Sequence, residues 1–90
     1  MTGLDQDTRL RRLRYRSWHR GCKETDVILG HFADERLETL TPDQMTTYEQ
    51  LLDEQDVDIW NWLVGKEPPA HAAYEPLLDI LRRHSERASL

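Results

Sequence analysis

The sequence lacks the features of a secreted or membrane-spanning protein. Cys22 is its one cysteine in 90 residues, so no internal disulfide can form and the chain suits a reducing compartment. No apolar run approaches the roughly 20 residues needed to cross a bilayer. The N-terminal stretch lacks the apolar core of a secretory signal. We therefore expect a cytoplasmic protein without membrane insertion or a cleaved targeting segment.

Patterns of catalysis and metal binding are also missing. There is no GxGxxG fingerprint and no phosphate loop, and Cys22 has no CxxC partner. The histidines His19, His31, His71 and His84 form no i, i+4 pair with a third ligand nearby in sequence. Cys22 and His19 are a conceivable nucleophile and base, but no third group is implied to orient them. We predict no enzyme, no metal site and no cofactor of the protein's own.

Charge is divided unevenly along the chain. Between Thr8 and Lys23 all seven charged residues are basic, whereas between Glu24 and Asp79 fourteen acids face only Arg36 and Lys66. Such asymmetry can hold a small domain together or present one charged face to a partner. The stripe Arg9, Arg12, Arg16, Arg20 suggests nucleic-acid binding. The acidic remainder would repel a polyanion, so we expect arginine–acid pairs and no nucleic acid.

Apolar periodicity predicts an all-α fold, a compact bundle of five short helices with no strand. The predicted helices span about 8–20, 26–40, 42–53, 58–64 and 75–84. They make one domain over residues 8–84, with flexible tails at 1–7 and 85–90. Short connections favour antiparallel packing of neighbouring helices.

Helix ends carry recognisable signals. Thr8 is a candidate N-cap for the first helix, and Thr25 or Asp26 for the second. The segment from Thr41 to Gln44 has the order of a capping box with proline at the first helical position. Gly21 fits the left-handed C′ position that stops a helix, and Gly65 ends the short fourth helix.

The same periodicity predicts the core. Trp60 and Trp62 are expected to lie mostly in it, because tryptophan is highly buried on average. The other predicted core residues are Ile28, Leu29, Phe32, Ala33, Leu37, Leu40, Met45, Tyr48, Leu51, Leu52, Leu77, Leu78, Ile80 and Leu81.

The joint between the first two helices, Arg20 to Glu24, has two interpretations. In the first, Gly21 only ends a helix, Arg20 is solvated and Glu24 favours the helix dipole. In the second, Gly21 lets a partner approach the backbone closely, while Arg20 and Glu24 offer a forked donor and an acceptor. Three tryptophans and several arginines are residue types enriched in protein interfaces. The residues alone leave both interpretations open.

A wider set of motifs resembles the succinate dehydrogenase assembly factor family, called SdhE in bacteria and assembly factor 2 in mitochondria. The resemblance covers roughly residues 9–83. The motifs are, in order, Arg12-Leu13 with Tyr15, Arg20-Gly21-Cys22-Lys23-Glu24, Phe32-Ala33, Leu40-Thr41, Tyr48 with Leu51-Leu52, and Asp58-Ile59-Trp60-Asn61-Trp62.

This resemblance implies a five-helix, monomeric chaperone that binds the flavoprotein subunit of succinate dehydrogenase, and of fumarate reductase in some bacteria. Such a factor promotes covalent attachment of FAD to its partner, and the FAD chemistry belongs to that partner. The family's RGxxE motif lies at the contact surface, which implies partner-binding roles for Arg20, Gly21 and Glu24. It also implies a cytoplasmic location in bacteria and the mitochondrial matrix in eukaryotes. An antitoxin-type regulatory binding module is the alternative that related bacterial proteins suggest.

Overall fold

Five α-helices follow one another along the chain. The computed structural model describes the backbone of residues 2–90 and the side chains of residues 6–90. The helices are α1 (Thr2–Trp18), α2 (Lys23–Arg36), α3 (Pro42–Leu52), α4 (Asp56–Leu63) and α5 (Glu75–Arg87). Single 3-10 turns, Leu37–Thr39 and Ala72–Tyr74, precede α3 and α5. No strand occurs in residues 2–90, so the predicted all-α class is confirmed.

Two predicted helix ends are confirmed in atomic detail. At the start of α3 the Gln44 amide donates to Thr41 Oγ1 at 3.1 Å, and the Thr41 amide donates to Gln44 Oε1 at 2.9 Å, which completes the capping box. After α4, Gly65 has φ +80°. The amide of Lys66 bonds the carbonyl of Asn61 at 2.8 Å, as in a Schellman motif.

Other predicted bounds were wrong. The first helix begins at Thr2 instead of Thr8, and no proline interrupts these residues. The second begins at Lys23 after Cys22, with no side-chain cap. Asp26 does not cap it, because its carboxylate accepts the Arg20 amide at 2.9 Å. The last helix continues to Arg87 instead of ending at 84.

One continuous core joins all five helices. Every predicted core position is buried or packs against it except Trp60, which is only half-buried. From α1, Leu10 and Leu13 are buried, although its sequence shows a poor apolar face. The buried Tyr48 hydroxyl lies 2.6 Å from Ser17 Oγ and donates to the Leu29 carbonyl at 3.3 Å. This polar contact fixes α1, α2 and α3 relative to one another, since an unpaired buried hydroxyl is costly.

The two charged halves of the sequence pair with each other. Arg9 bonds Glu49, Arg14 bonds Glu38 at 2.8 Å, and Arg16 bonds Asp53 at 2.6 Å. Each pair is partly exposed and so contributes little alone. The expected arginine–acid pairs are therefore confirmed. Two of them engage Arg9 and Arg16, which belong to the stripe that suggested nucleic-acid binding.

The close approach of α1 and α2 depends on a glycine. A Cβ built on Gly30 would lie 2.2 Å from Cδ2 of the Trp18 ring, well inside contact distance. Trp18 therefore covers the backbone of α2 at this point. Its indole nitrogen also donates to Asp34 Oδ2 at 3.1 Å.

Candidate partner-binding surface

The joint between α1 and α2 holds Gly21 in a left-handed conformation with φ +97°. The predicted conformation is therefore confirmed, although Gly21 follows the last helical residue, Trp18, by three positions. Outside its chain neighbours, no atom of the described residues lies within 4 Å of where a Cβ would stand. A larger side chain would thus be strained by its backbone angle but would find open space.

Arg20 does not face solvent. Its side chain is 10% exposed, and Nε donates to Asp56 Oδ1 at 2.5 Å. Its terminal nitrogens donate to the carbonyls of Leu52 and Glu54 at 2.7 and 2.6 Å. These contacts satisfy carbonyl groups that the end of α3 leaves unpaired. The guanidinium is thus engaged within the chain, where Arg20 fastens the joint to the α3–α4 connection.

Arg82 binds the C-terminal end of α4 in the way that Arg20 binds the end of α3. Its Nη2 and Nε donate to the carbonyls of Trp62 and Leu63 at 2.6 and 3.0 Å. Its Nη1 pairs with Asp79 at 2.8 Å and Glu75 at 3.1 Å. The C-terminal ends of α3 and α4 are thus both held by arginines from distant parts of the sequence.

Glu24 is exposed in the first turn of α2. Its carboxylate accepts a hydrogen bond from the Cys22 thiol at 3.4 Å. The pKa of Glu24 is lowered first by a backbone hydrogen bond within its own residue and then by the thiol. The side chain is therefore an ionised acceptor at neutral pH, within reach of a partner.

The conceivable pair of Cys22 and His19 is not assembled. The thiol is directed to Glu24, while the His19 ring stacks on Tyr15 with centroids 4.2 Å apart. No side chain of this joint is arranged to activate the sulfur as a nucleophile.

Apolar side chains continue the surface beside Glu24. Trp60 of α4 is half-buried, and Val27 and Val57 are 36% and 59% exposed. Two shallow clefts meet here, and Glu24 and Trp60 line both of them. We call the surface formed by Lys23, Glu24, Val27, Val57 and Trp60 the Glu24–Trp60 surface. An exposed acid beside a tryptophan and two valines is suited to binding another protein.

The prediction that Trp60 lies mostly in the core was wrong, and the sequence contains the signal that would have corrected it. Trp60 and Trp62 are two residues apart in one helix, so their side chains lie about 200° apart around its axis. The two side chains therefore cannot both enter the core. Trp62 is 4% exposed and lies there, which leaves Trp60 at the surface.

Comparison with known proteins shows the family of this chain. The profile of the Sdh5 family, described as the flavinator of succinate dehydrogenase, matches residues 11–85. The chain belongs to the Sdh5 family. It is 42% identical over 86 residues to a protein of Cryptococcus neoformans named succinate dehydrogenase assembly factor 2, mitochondrial, covering 94% of this chain and 49% of that protein. It is 36% identical over 80 residues to the FAD assembly factor SdhE of Acetobacter pasteurianus, covering 86% and 73%.

The Sdh5 match confirms the family inferred from the sequence motifs and includes the whole joint from Arg20 to Glu24. The chain spans about half the length of the Cryptococcus relative and 45% of a Meyerozyma guilliermondii relative of the same name. In residues 2–90 no helix is long and apolar enough to cross a membrane.

Proposed function

We propose that this Sdh5-family chain is an assembly factor that binds the flavoprotein subunit of succinate dehydrogenase and promotes covalent attachment of FAD to it. The family match over residues 11–85 carries the proposal. The name of the Acetobacter relative supports the FAD assembly role. Nothing in these names or in the joint favours the antitoxin alternative.

The Glu24–Trp60 surface and Gly21 are the proposed contact site. Trp60 supplies a large, partly desolvated anchor, and the valines beside it exclude water around that anchor. Glu24 supplies a charge that fixes the orientation of the partner. Gly21 presents its bare backbone to the partner, while Arg20 holds the joint in place from within. Arg20 is thus a positioning residue of the site.

Assembly follows from selecting one conformer of the partner. Attachment requires the flavin and its acceptor side chain to be held together within the flavoprotein. A rigid bundle that binds this arrangement more tightly than others raises its population by that difference in affinity. The factor needs no catalytic group or cofactor of its own, and it acts as a monomer. The same surface serves fumarate reductase where a cell has that enzyme. The proposed location is the bacterial cytoplasm or the mitochondrial matrix, according to source.

The test is deletion of the gene in its native cell, followed by in-gel fluorescence of covalent flavin on the succinate dehydrogenase flavoprotein. We expect the flavoprotein to be present and largely without covalent flavin, and the wild-type gene to restore it. Glu24→Ala should restore less, because losing one interface residue costs about 1–2 kcal/mol. Glu67→Ala, an exposed glutamate in the loop after α4, is the matched control and should restore fully. Full flavinylation in the deletion strain, with no second assembly factor present, would refute the proposal.

A further inference from the structure

A second charged feature lies at the other end of α2, away from the joint. A cleft of about 140 Å³ is lined by Arg36 from α2 and by Ile80, Arg83, His84 and Arg87 from α5. Arg36 lies about 18 Å from Glu24 along the axis of α2. The cleft therefore does not belong to the Glu24–Trp60 surface.

The arginines of this cleft differ from most others in the protein. Among the side chains of residues 6–90, five arginines make ion pairs, namely Arg9, Arg14, Arg16, Arg20 and Arg82. In that same part of the chain no acid pairs with Arg36, Arg83 or Arg87, although the chain carries a net charge of −5. Arg83 and Arg87 are also four residues apart on one helix, a spacing at which like charges repel. Among the described side chains, three positive groups thus line one cleft and none of them makes an ion pair.

A buried histidine completes the lining. His84 is 8% exposed, and its Nε2 lies 2.9 Å from Nδ1 of His31. Its other nitrogen, Nδ1, has no hydrogen-bond partner among the described side chains, yet it is not fully enclosed. The edge of Phe32 packs on the ring, with centroids 5.6 Å apart. The cleft therefore contains a buried polar group in addition to its exposed arginines.

The same histidines also meet part of the geometry of a metal site. His31, Glu35 and His84 bring ligand atoms within 4.8 Å of one another. The His84 Nε2 to Glu35 Oε1 distance of 3.7 Å is close to the roughly 3.3 Å between two ligands of tetrahedral zinc. Glu35 is, however, the one carboxylate of this cluster, whereas the cleft beside His84 is lined by three arginines, Arg36, Arg83 and Arg87. This charge balance disfavours a divalent cation and favours an anion.

We propose that this cleft binds a small oxyanion, the phosphate or carboxylate group of a ligand, through Arg36, Arg83 and Arg87 with His84 as a further hydrogen-bond donor. Guanidinium groups match the oxygens of phosphate and carboxylate with paired, charge-assisted bonds. The cleft volume suits a single phosphate or a small dicarboxylate rather than a peptide. A bound anion also relieves the repulsion between Arg83 and Arg87 and ties α5 to α2.

The test uses the full chain, labelled with ¹⁵N and titrated with inorganic phosphate, succinate or sodium chloride at matched ionic strength. Amide and arginine Nε–H signals are followed by NMR. We expect saturable shifts around Arg36 and residues 83–87 with phosphate, succinate or both, at a Kd on the order of 1 mM for so small a ligand. The more effective anion identifies the ligand group.

Matched variants decide whether the arginines form a site. Arg83→Gln and Arg87→Gln should each weaken anion binding about tenfold, since a charge-assisted hydrogen bond is lost. Arg11→Gln changes an exposed arginine of α1 and should leave binding unchanged. The proposal is overturned if chloride gives the same shifts, if neither anion saturates, or if Arg11→Gln and Arg83→Gln bind alike. The result does not depend on the flavoprotein, so it stands or fails separately from the proposed function.

Discussion

Nε of Arg20 donates to Oδ1 of Asp56 at 2.5 Å, across 36 residues of sequence. The pair joins the start of α4 to the joint that carries Gly21. We expect Arg20→Ala to lower the free energy of unfolding by about 2–4 kcal/mol, because it leaves Asp56 and two carbonyls without their donor. Arg11→Ala, at an exposed position, should change it by less than about 0.5 kcal/mol. Urea denaturation measures both.

A double-mutant cycle separates this pair from the carbonyl contacts. Asp56→Ala in the Arg20→Ala background should cost less than Asp56→Ala alone, by about 1 kcal/mol or more. Equal costs in the two backgrounds would show that the ion pair does not couple the joint to α4.

Gly21 and Gly65 provide a matched comparison. Both have positive φ, and both have open space where a side chain would stand. Gly21→Arg and Gly65→Arg should therefore each cost about 1 kcal/mol of stability. Only Gly21→Arg should also abolish binding of the flavoprotein, measured by pull-down, since only Gly21 belongs to the proposed contact site. If the two variants bind equally, Gly21 serves only to turn the chain.

Gly30 is constrained by its neighbour instead of by its backbone angle. We expect Gly30→Ala to force the Trp18 ring away from α2 and to destabilise the protein by about 1–3 kcal/mol, as overpacking does. In a Trp18→Ala background the same change should become neutral or stabilising, by up to about 1 kcal/mol, because alanine is the better helix former. Thermal or urea unfolding of the four proteins measures this reversal. Destabilisation of equal size in both backgrounds would contradict it.

Stability should fall as the pH drops below neutral because of His84. Burial lowers the pKa of His84 first, followed by its charge interaction with His31; Arg36 and Arg87 lower it further, while Glu35 raises it. The unfolded chain thus binds a proton near pH 6.5 that the folded chain resists. The contribution of neutral, buried His84 to the free energy of unfolding is therefore fully present above pH 6.5 and is lost as the pH falls below that value.

Urea unfolding between pH 7.5 and 5.0 measures this effect, in a buffer without phosphate or carboxylate. The His84→Gln variant should show a flatter profile than the wild type over this range. His71→Gln, at an exposed position in the loop before α5, is the control and should keep the wild-type slope. Parallel profiles for the wild type and His84→Gln would show that another group causes the loss of stability at low pH.

Sequence patterns predicted what depends on neighbours in the chain. The capping box at Thr41 and the helix end at Gly65 are local motifs, and both formed as expected. The apolar spacing also placed most of the core correctly. These features are encoded within a few residues and are not changed by the rest of the fold.

The remaining features depend on contacts between distant segments. Nothing near Arg20 indicates that its guanidinium enters the α3–α4 connection, because Asp56 is brought there by folding. The approach of Trp18 to Gly30 and the meeting of His31 with His84 arise in the same way. The sequence therefore predicts the left-handed turn at Gly21 but does not reveal the contacts that Arg20 makes within the chain.

The two arginines that hold the ends of α3 and α4 have a consequence for how the chain is made. Arg20 is synthesised before the carbonyls that it binds, whereas Arg82 is synthesised after the carbonyls that it binds. A nascent chain that stops at residue 81 has α4 but lacks the side chain that secures its end. We expect such chains to be cut readily by protease and chains that include Arg82 to resist it. The bundle would then close only after Arg82 has been synthesised, and shorter nascent chains would lack the contact that secures the end of α4.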